Sequence, residues 1–177
     1  YLSGQKMKRL LEKLSGSDSA ETPAPLSIAR LLQEAVKSKS IAEPKPVLEV
    51  QDSNLTVYAN STRLERVVGH LIQNAIEATP REGQVRIRLQ REQDFAIIEI
   101  KDTGHGMSEE FIRDKLFKPF VSTKSAGMGI GVFESREYVS ELGGKLEVTS
   151  RESDGTVFRI LLPLCQNVQA LNATTVK

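Results

Sequence analysis

Two glycine clusters constrain this chain more than any other feature of its sequence. Residues 102–106 are Asp-Thr-Gly-His-Gly, and residues 127–131 are Gly-Met-Gly-Ile-Gly. Glycine has no Cβ, so backbone N–H groups around it can approach a phosphate closely. The carboxylate of Asp102, which follows a predicted buried strand, can accept a hydrogen bond from the exocyclic amine of a base. The two clusters together predict a nucleotide site, although the first alone would also fit an ordinary turn.

A helix predicted upstream of the first cluster carries a second set of candidate residues. Its apolar stripe consists of Leu64, Val67, Val68, Leu71, Ile72, Ala75 and Ile76, and Pro80 ends it soon afterwards. His70, Asn74, Glu77 and Ala78 share one side of this helix, next to the stripe. Mg²⁺ prefers a few protein oxygens together with waters and phosphate oxygens, so the amide oxygen of Asn74 is a candidate ligand. Alternatively, Asn74 and Glu77 belong to a solvated helix face, but the downstream glycines favour the metal interpretation.

The second glycine cluster lies where another helix is predicted to begin, over residues 129–142. Free N–H groups and the positive end of the helix dipole make such a start a natural anion site. No Gly-Lys-Ser/Thr sequence follows, so the cluster is not a Walker A loop. No predicted strand leads directly into it, so it does not fit a Rossmann fingerprint either.

The segment between the two clusters has the features of a lid. Phe117 and Phe120 flank Pro119, and Lys124 follows at a position from which it could reach a γ-phosphate. A loop with glycine hinges commonly closes over a bound nucleotide. Alternatively, the two phenylalanines are core residues and Lys124 is a solvent-facing charge.

Composition argues against several classes of function. The chain has 177 residues, with 24 Lys+Arg against 23 Asp+Glu, and this balance argues against bulk binding to nucleic acid. Cys165 is the only cysteine, so no disulfide can form within the chain. No apolar run approaches the roughly 18–20 residues of a membrane span, and no membrane contact by this part is expected. The first residue is Tyr1, so we expect a fragment of a longer protein.

Three regions are expected along the chain. Residues 1–24 combine a short basic amphipathic helix with a polar, Pro-containing linker, residues 25–165 form the folded domain, and residues 166–177 form a tail. Ser27 is predicted to cap a helix that ends near Lys37. Strands are predicted over residues 47–50, 56–59, 84–91, 95–100, 145–150 and 156–162. The third and fourth are predicted to pair, and the last two are predicted to form a hairpin. These elements suit a sheet covered on one side by helices.

Taken together, these motifs resemble the ATP-binding catalytic domain of bacterial two-component sensor histidine kinases. The resemblance runs from about Pro25 to Pro163, with four motifs in the order typical of the family. The same superfamily holds gyrase B, Hsp90 and MutL. The resemblance implies an α/β fold of the Bergerat type, an α+β two-layer sandwich with a mixed sheet, and it implies ATP and Mg²⁺ as ligands.

The resemblance also implies roles for individual residues. Asn74 would ligate Mg²⁺, Asp102 would recognise adenine, and Thr156 would lie near the base. Phosphoryl transfer would involve His70, Asn74 and Lys124. The implied set of nucleotide contacts is Asn74, Glu77, Ala78, Asp102, Gly104, Gly106, Met107, Phe117, Lys124, Gly127, Met128, Gly129, Ile130, Gly131 and Thr156.

The implied activity is transfer of the γ-phosphate of ATP to a histidine on the protein's own dimerisation domain, for onward transfer to a response regulator. The full-length protein would be a homodimer, with this part in the cytoplasm and an anchor in the inner membrane. The only histidines are His70 and His105, and neither lies in an acceptor motif. The accepting histidine is therefore expected upstream of Tyr1, and residues 1–14 resemble the end of the second dimerisation helix.

One position departs from the commonest family pattern. Many sensor kinases have Asn where this chain has His70, whereas the ATP-hydrolysing relatives have a Glu that activates water. The absence of that Glu favours transfer over hydrolysis. Two alternatives remain, an ATPase clamp of the same superfamily and a non-catalytic module that docks partners. Residues 131–138 further resemble kinases associated with exosortase-type surface-polymer systems.

Overall fold

The computed structural model of this protein describes residues 22–118 and 128–165. The predicted helix at residues 1–14, most of the linker and the tail lie outside the described residues. The helices are α1 (Ile28–Lys37), α2 (Ser61–Ala78), α3 (Glu109–Phe111), directly followed by a π-helical turn (Ile112–Leu116), and α4 (Met128–Glu141). The strands are β1 (Ala24–Ser27), β2 (Val47–Val50), β3 (Thr56–Ala59), β4 (Val85–Glu92), β5 (Phe95–Asp102), β6 (Lys145–Arg151) and β7 (Gly155–Pro163). In these two ranges, no helix is both long enough and apolar enough to cross a membrane.

Five strands form one mixed sheet in the order β2-β4-β5-β7-β6. β2 runs parallel to β4, and the other neighbours are antiparallel. β1 and β3 pair separately as a short antiparallel ribbon. The apolar stripe of α2 and the inward side chains of the strands form one core, because the helices pack on one face of the sheet. This arrangement confirms the predicted α/β class with a mixed sheet.

Strand alternation brings a carboxylate into this core. In β5, the side chains of Ala96, Ile98 and Ile100 face the helices and are at most 1% exposed. Because side chains alternate along a strand, the next inward position is Asp102, the last residue of β5. Asp102 is 4% exposed and lies against the C-terminal half of α2. The fold therefore places an acid at the edge of the core.

α1 and α2 begin where capping side chains stop the preceding extended chain. Ser27 is the predicted cap of α1, and its Oγ accepts a hydrogen bond from the N–H of Arg30 at 3.4 Å. Asn60 caps α2, because its Oδ1 accepts from the N–H of Arg63 at 3.0 Å. Local capping chemistry thus sets the start of both helices.

Two features differ from the expectation based on sequence. β1 begins at Ala24, the last residue of the region that the sequence predicts to end in a linker. Pro25 has no N–H to donate, and such a residue is tolerated in an edge strand. The other feature is the α3 and π-helical turn pair, which Ser108 caps by accepting from the N–H of Phe111 at 3.1 Å. This segment is too short for hydrophobic periodicity to reveal it.

A row of alternating charges crosses the sheet on the face opposite the helices. The register places one member in each strand, in the order Glu49, Arg88, Glu99, Arg159 and Glu147. Arg88 Nε lies 3.3 Å from Glu49 Oε2, and Arg159 Nε lies 3.9 Å from Glu99 Oε2. A slip of one residue would move a whole strand's side chains to the other face, so this row stabilises the observed register.

Replacing Glu99 with lysine is expected to lower the free energy of unfolding by about 1–2 kcal/mol. The substitution turns two attractive cross-strand pairs, with Arg88 and Arg159, into repulsive ones. Glu99→Gln removes the attraction without adding repulsion and should therefore lose less. Urea unfolding followed by circular dichroism measures both variants, and equal losses would contradict the charge-based explanation.

Candidate functional site

A small pocket lies where the C-terminal half of α2 meets the end of β5. Its walls are formed by Asn74, Ala75, Ala78, Asp102, His105, Met107, Leu116, Val132, Thr156 and Phe158. Five residues that the sequence predicts as ligand contacts meet here, namely Asn74, Ala78, Asp102, Met107 and Thr156. The free volume is about 30 Å³, which holds roughly two water molecules. The long, unbranched Met107 is a wall residue whose side chain can adapt its shape to a ligand.

Asp102 presents one unused carboxylate oxygen to this pocket. Its Oδ1 accepts the N–H of Gly104 at 2.9 Å and that of Thr156 at 3.3 Å. Its Oδ2 makes no hydrogen bond within the described part of the chain. Burial raises the pKa of the Asp102 carboxyl, while the two backbone hydrogen bonds and nearby His105 oppose that rise. One oxygen thus fixes the side chain, and the other is available to a ligand.

Gly104 and Gly106 allow separate backbone segments to meet behind this acid. The N–H of His105 donates to the carbonyl of Ala78, at the end of α2, at 3.1 Å. A Cβ on Gly104 would overlap the Ala78 carbonyl. A Cβ on Gly106, where φ is +70°, would overlap the backbone of Arg151. These glycines therefore allow close packing of the chain, and neither is among the residues that line the pocket.

The side chain of Asn74 carries a buried polar atom that the described residues do not satisfy. Its Nδ2 is buried without a hydrogen-bond partner in residues 22–118 and 128–165. Leaving a buried amide unpaired costs about 1–3 kcal/mol, so a ligand that paired with this group would recover that cost. The assignment of amide oxygen and nitrogen can be exchanged, so either atom can face that ligand. The oxygen fits Mg²⁺, which takes few protein ligands and completes its shell with phosphate oxygens and waters.

His70 and Glu77 do not line this pocket. His70 is exposed and lies beside Gly131 in a neighbouring cavity of about 310 Å³ between α2 and α4. A Cβ on Gly131 would lie 3.2 Å from His70 Nδ1, so the glycine leaves room for the imidazole. Glu77 is exposed and accepts from Gln73 Nε2 at 3.3 Å. Of the four residues predicted to share a helix face, two line the pocket.

The start of α4 adjoins both cavities. Val132 is 1% exposed and lines the pocket, whereas Gly131 lines the neighbouring cavity. The hydroxyl of Ser135 donates to the Gly131 carbonyl at 2.6 Å and secures this turn. The first turn of a helix has N–H groups without intrahelical partners, which suit an anion. The predicted contacts in that turn are Met128, Gly129, Ile130 and Gly131, while Phe120, Lys124 and Gly127 lie outside the described residues.

Phe117 packs at the border of the core and does not line the pocket. The guanidinium of Arg136, in α4, lies 4.5 Å from the centroid of its ring, which is a cation–π contact. The ring also packs against the main hydrophobic core. This contact connects the π-helical turn to α4, and the predicted nucleotide contact of Phe117 stays a prediction.

Sequence reasoning did not predict five of the residues that line the pocket, namely Ala75, His105, Leu116, Val132 and Phe158. It also missed Ser150, which lies behind the pocket. Ser150 Oγ accepts the N–H of Met107 at 2.8 Å and lies 2.8 Å from Thr156 Oγ1. Because β6 and β7 pair with Ser150 opposite Thr156, the predicted hairpin was a signal that could have revealed Ser150. The apolar wall residues are defined only by tertiary packing.

This chain is similar to an ATPase family and to bacterial kinases and sensor proteins. Residues 59–166 match the family described as histidine kinase-, DNA gyrase B- and HSP90-like ATPase. Sporulation kinase E of Bacillus subtilis is 35% identical over 69% of this chain and 16% of that kinase. The C4-dicarboxylate transport sensor protein DctB of Rhizobium meliloti is also 35% identical, over 65% of this chain and 18% of that protein. The chain thus spans only a small part of the length of these two relatives. It also resembles the solved catalytic domain of the histidine kinase ThkA, with a TM-score of 0.67 and 29% identity. That match covers 80% of this chain and 95% of that domain.

Proposed function

Because this chain belongs to the family of histidine kinase-, DNA gyrase B- and HSP90-like ATPases, we propose that it binds Mg²⁺-ATP and transfers the γ-phosphate to a histidine on a dimerisation domain. The chain is an ATP-binding catalytic domain of the sensor histidine kinase type. The observation that carries the proposal is the convergence of Asn74, Asp102 and Thr156 on one pocket. These three side chains supply an amide, a carboxylate and a hydroxyl in an enclosure whose other walls, apart from His105, are apolar.

The adenine base is held at the Asp102 end of the pocket. Oδ2 accepts an N–H of the exocyclic amine, while Oδ1 remains bonded to the backbone. The Thr156 hydroxyl provides a second polar contact beside it. Apolar walls that include Val132 and Phe158 cover the ring, as is usual for pockets that bury a ligand and orient it with a few polar groups.

The triphosphate is held by backbone N–H groups at the start of α4 and by Mg²⁺. If the amide is turned so that Oδ1 takes the place of the unpaired Nδ2, Asn74 is the proposed protein ligand of that ion. When bound, Mg²⁺ supplies positive charge that neutralises the phosphate oxygens. His70 is exposed beside Gly131 and is proposed to orient a phosphate oxygen. Lys124 is proposed to do the same for the γ-phosphate.

Transfer requires an acceptor outside the site. The bond between the γ-phosphorus and the bridging oxygen breaks, ADP leaves with that oxygen, and a phosphorus–nitrogen bond forms with the acceptor imidazole, which releases its N–H proton. Positioning and charge neutralisation supply most of the catalysis in such reactions. We also propose that the full-length protein is a homodimer anchored in the inner membrane, that this domain lies in the cytoplasm, and that a response regulator receives the phosphoryl group.

Replacing Asn74 with alanine is expected to lower Mg²⁺-dependent ATP affinity at least about tenfold, or about 1.4 kcal/mol. The substitution removes the only amide oxygen that lines the pocket within the described residues. Calorimetric titration with a non-hydrolysable ATP analogue, with Mg²⁺ and with a chelator, measures this loss. In the presence of the chelator, wild type and variant should bind the ATP analogue with the same affinity.

Gln73→Ala is the matched control for this experiment. Gln73 is the neighbouring amide on α2, and it accepts from Lys39 Nζ at 2.9 Å, away from the pocket. It should bind ATP like the wild type. A folded wild-type chain that binds no nucleotide would overturn the proposal and favour a docking module. Steady release of inorganic phosphate from ATP would favour an ATPase clamp.

A further inference from the structure

The hydroxyl of Ser150 is shared among three groups behind the pocket. Its Oγ accepts the N–H of Met107 at 2.8 Å and donates to the carbonyl of Gly155 at 2.9 Å. It also lies 2.8 Å from the hydroxyl oxygen of Thr156. Ser150, which lies in β6, thus connects this strand to the loop that contains Met107, a residue of the pocket wall.

The position of each proton follows from these contacts. A carbonyl oxygen can only accept, so the single hydroxyl proton of Ser150 lies between Ser150 and Gly155. The short contact with Thr156 must then contain the proton of Thr156, because two oxygens at 2.8 Å without a proton between them would repel. Ser150 Oγ consequently accepts two hydrogen bonds and donates one. The hydrogen-bonding capacity of this hydroxyl is therefore filled.

In this arrangement the Thr156 hydroxyl can accept a hydrogen bond from a ligand but cannot donate one, because its proton is directed to Ser150. Thr156 is 5% exposed and lines the pocket next to Asp102, whose Oδ1 accepts its N–H. The free oxygen of Asp102 is also an acceptor. Asp102 and Thr156 therefore both offer acceptors to a ligand, and neither side chain offers a donor.

We propose that Ser150 is a positioning residue that fixes the Thr156 hydroxyl as an acceptor, so that this end of the pocket selects a purine with an exocyclic amine over one with a carbonyl oxygen. The inference rests on the proposed nucleotide function. An amine has N–H groups for both acceptors. A carbonyl oxygen at the same place would face two acceptors and lack a donor.

Removing the Ser150 hydroxyl frees the Thr156 proton. In Ser150→Ala, the Thr156 hydroxyl has lost its acceptor and can rotate to donate toward the ligand. The preference for ATP over inosine triphosphate, which has a carbonyl oxygen in place of the amine, should fall roughly fivefold to tenfold, the change expected for one hydrogen bond. If the role of Ser150 were mainly structural, the variant would lose affinity for both nucleotides by the same factor.

The experiment titrates the 177-residue chain with ATP and with inosine triphosphate, each in Mg²⁺. Ser150→Thr keeps the hydroxyl and should retain the wild-type preference. Thr149→Ala is the matched control, because Thr149 is the exposed preceding residue of β6 and points to the other face of the sheet. Thermal unfolding confirms that each variant is folded.

A double-mutant cycle decides whether Ser150 acts through Thr156. Thr156→Val removes the hydroxyl that Ser150 positions, so adding Ser150→Ala in that background should leave the nucleotide preference unchanged. An unchanged preference in the single Ser150→Ala variant, with ATP binding intact in the wild type, would overturn the inference. An equal fall in the Thr156→Val background would also overturn it. If the wild type binds neither nucleotide, the proposed function itself fails.

Discussion

Asp102→Asn is expected to weaken ATP binding about a hundredfold, a loss typical of a hydrogen bond to a charged group. The amide oxygen of the variant can still accept the N–H groups of Gly104 and Thr156. An NH₂ group, however, replaces the oxygen that is free to face the base. This donor then opposes the donor of the exocyclic amine. Calorimetric titration with an ATP analogue in Mg²⁺ measures the loss.

The same substitution is not expected to lower stability at neutral pH. Burial raises the pKa of Asp102 in the folded state, so its contribution to stability is full below the ordinary pKa and is lost as pH rises through the raised one. Asparagine carries no charge, so the variant does not lose stability as pH rises through this range. Acidification through this window should therefore stabilise the wild type relative to the variant, which urea unfolding at acidic and neutral pH can test. Unchanged ATP affinity in a folded variant would remove Asp102 from base recognition.

Gly104→Ala is expected to destabilise the protein by about 1–3 kcal/mol, as overpacking does, and to weaken ATP binding about a hundredfold. The new Cβ would overlap the Ala78 carbonyl and lie 2.9 Å from Asp102 Oδ1. Either the end of α2 or the acid must shift, and both form walls of the pocket. A displacement of about 1 Å is enough to disturb a positioned ligand on this scale. Thermal unfolding and nucleotide titration of one preparation measure the two effects.

Gly69→Ala provides the control of opposite sign. Gly69 lies within α2, and no atom lies within 4 Å of the position that its Cβ would occupy. Alanine is favoured over glycine inside a helix by about 0.5–1 kcal/mol, so this variant should gain stability. Nucleotide affinity should stay unchanged. A Gly104→Ala variant that binds ATP as tightly as Gly69→Ala would show that close approach at Gly104 is not required.

Local signals in the sequence predicted most of the elements. The apolar stripe of α2 and the cap at Ser27 were sufficient to place two helices, because periodicity and capping act over a few residues. The alternation along β4 and the apolar run in β5 predicted a pair of strands, and the structure confirms that they pair, in antiparallel orientation. Asp102 was identified because it follows a buried strand and precedes glycines.

Features without a local signal were missed. β1 contains Pro25 and follows a polar segment, so only its pairing with β3 defines it as a strand. The π-helical turn is too short to show a period, yet its Leu116 is 2% exposed and forms part of the pocket wall. Ser150 has no motif of its own, and its importance comes from the groups that surround its hydroxyl.

The sequence by itself determined the class of the fold, the acid at the end of β5 and the helix that carries Asn74, because each depends on residues close together in the chain. Tertiary structure alone decided which strands pair: β2 and β3 flank one turn, but β2 joins β4 and β3 joins β1. It also separated His70 from Asn74, because α4 packs against α2 between the two cavities. Strand pairing and helix packing bring distant residues together, and no local pattern of side chains encodes which of several possible partners buries the most apolar surface.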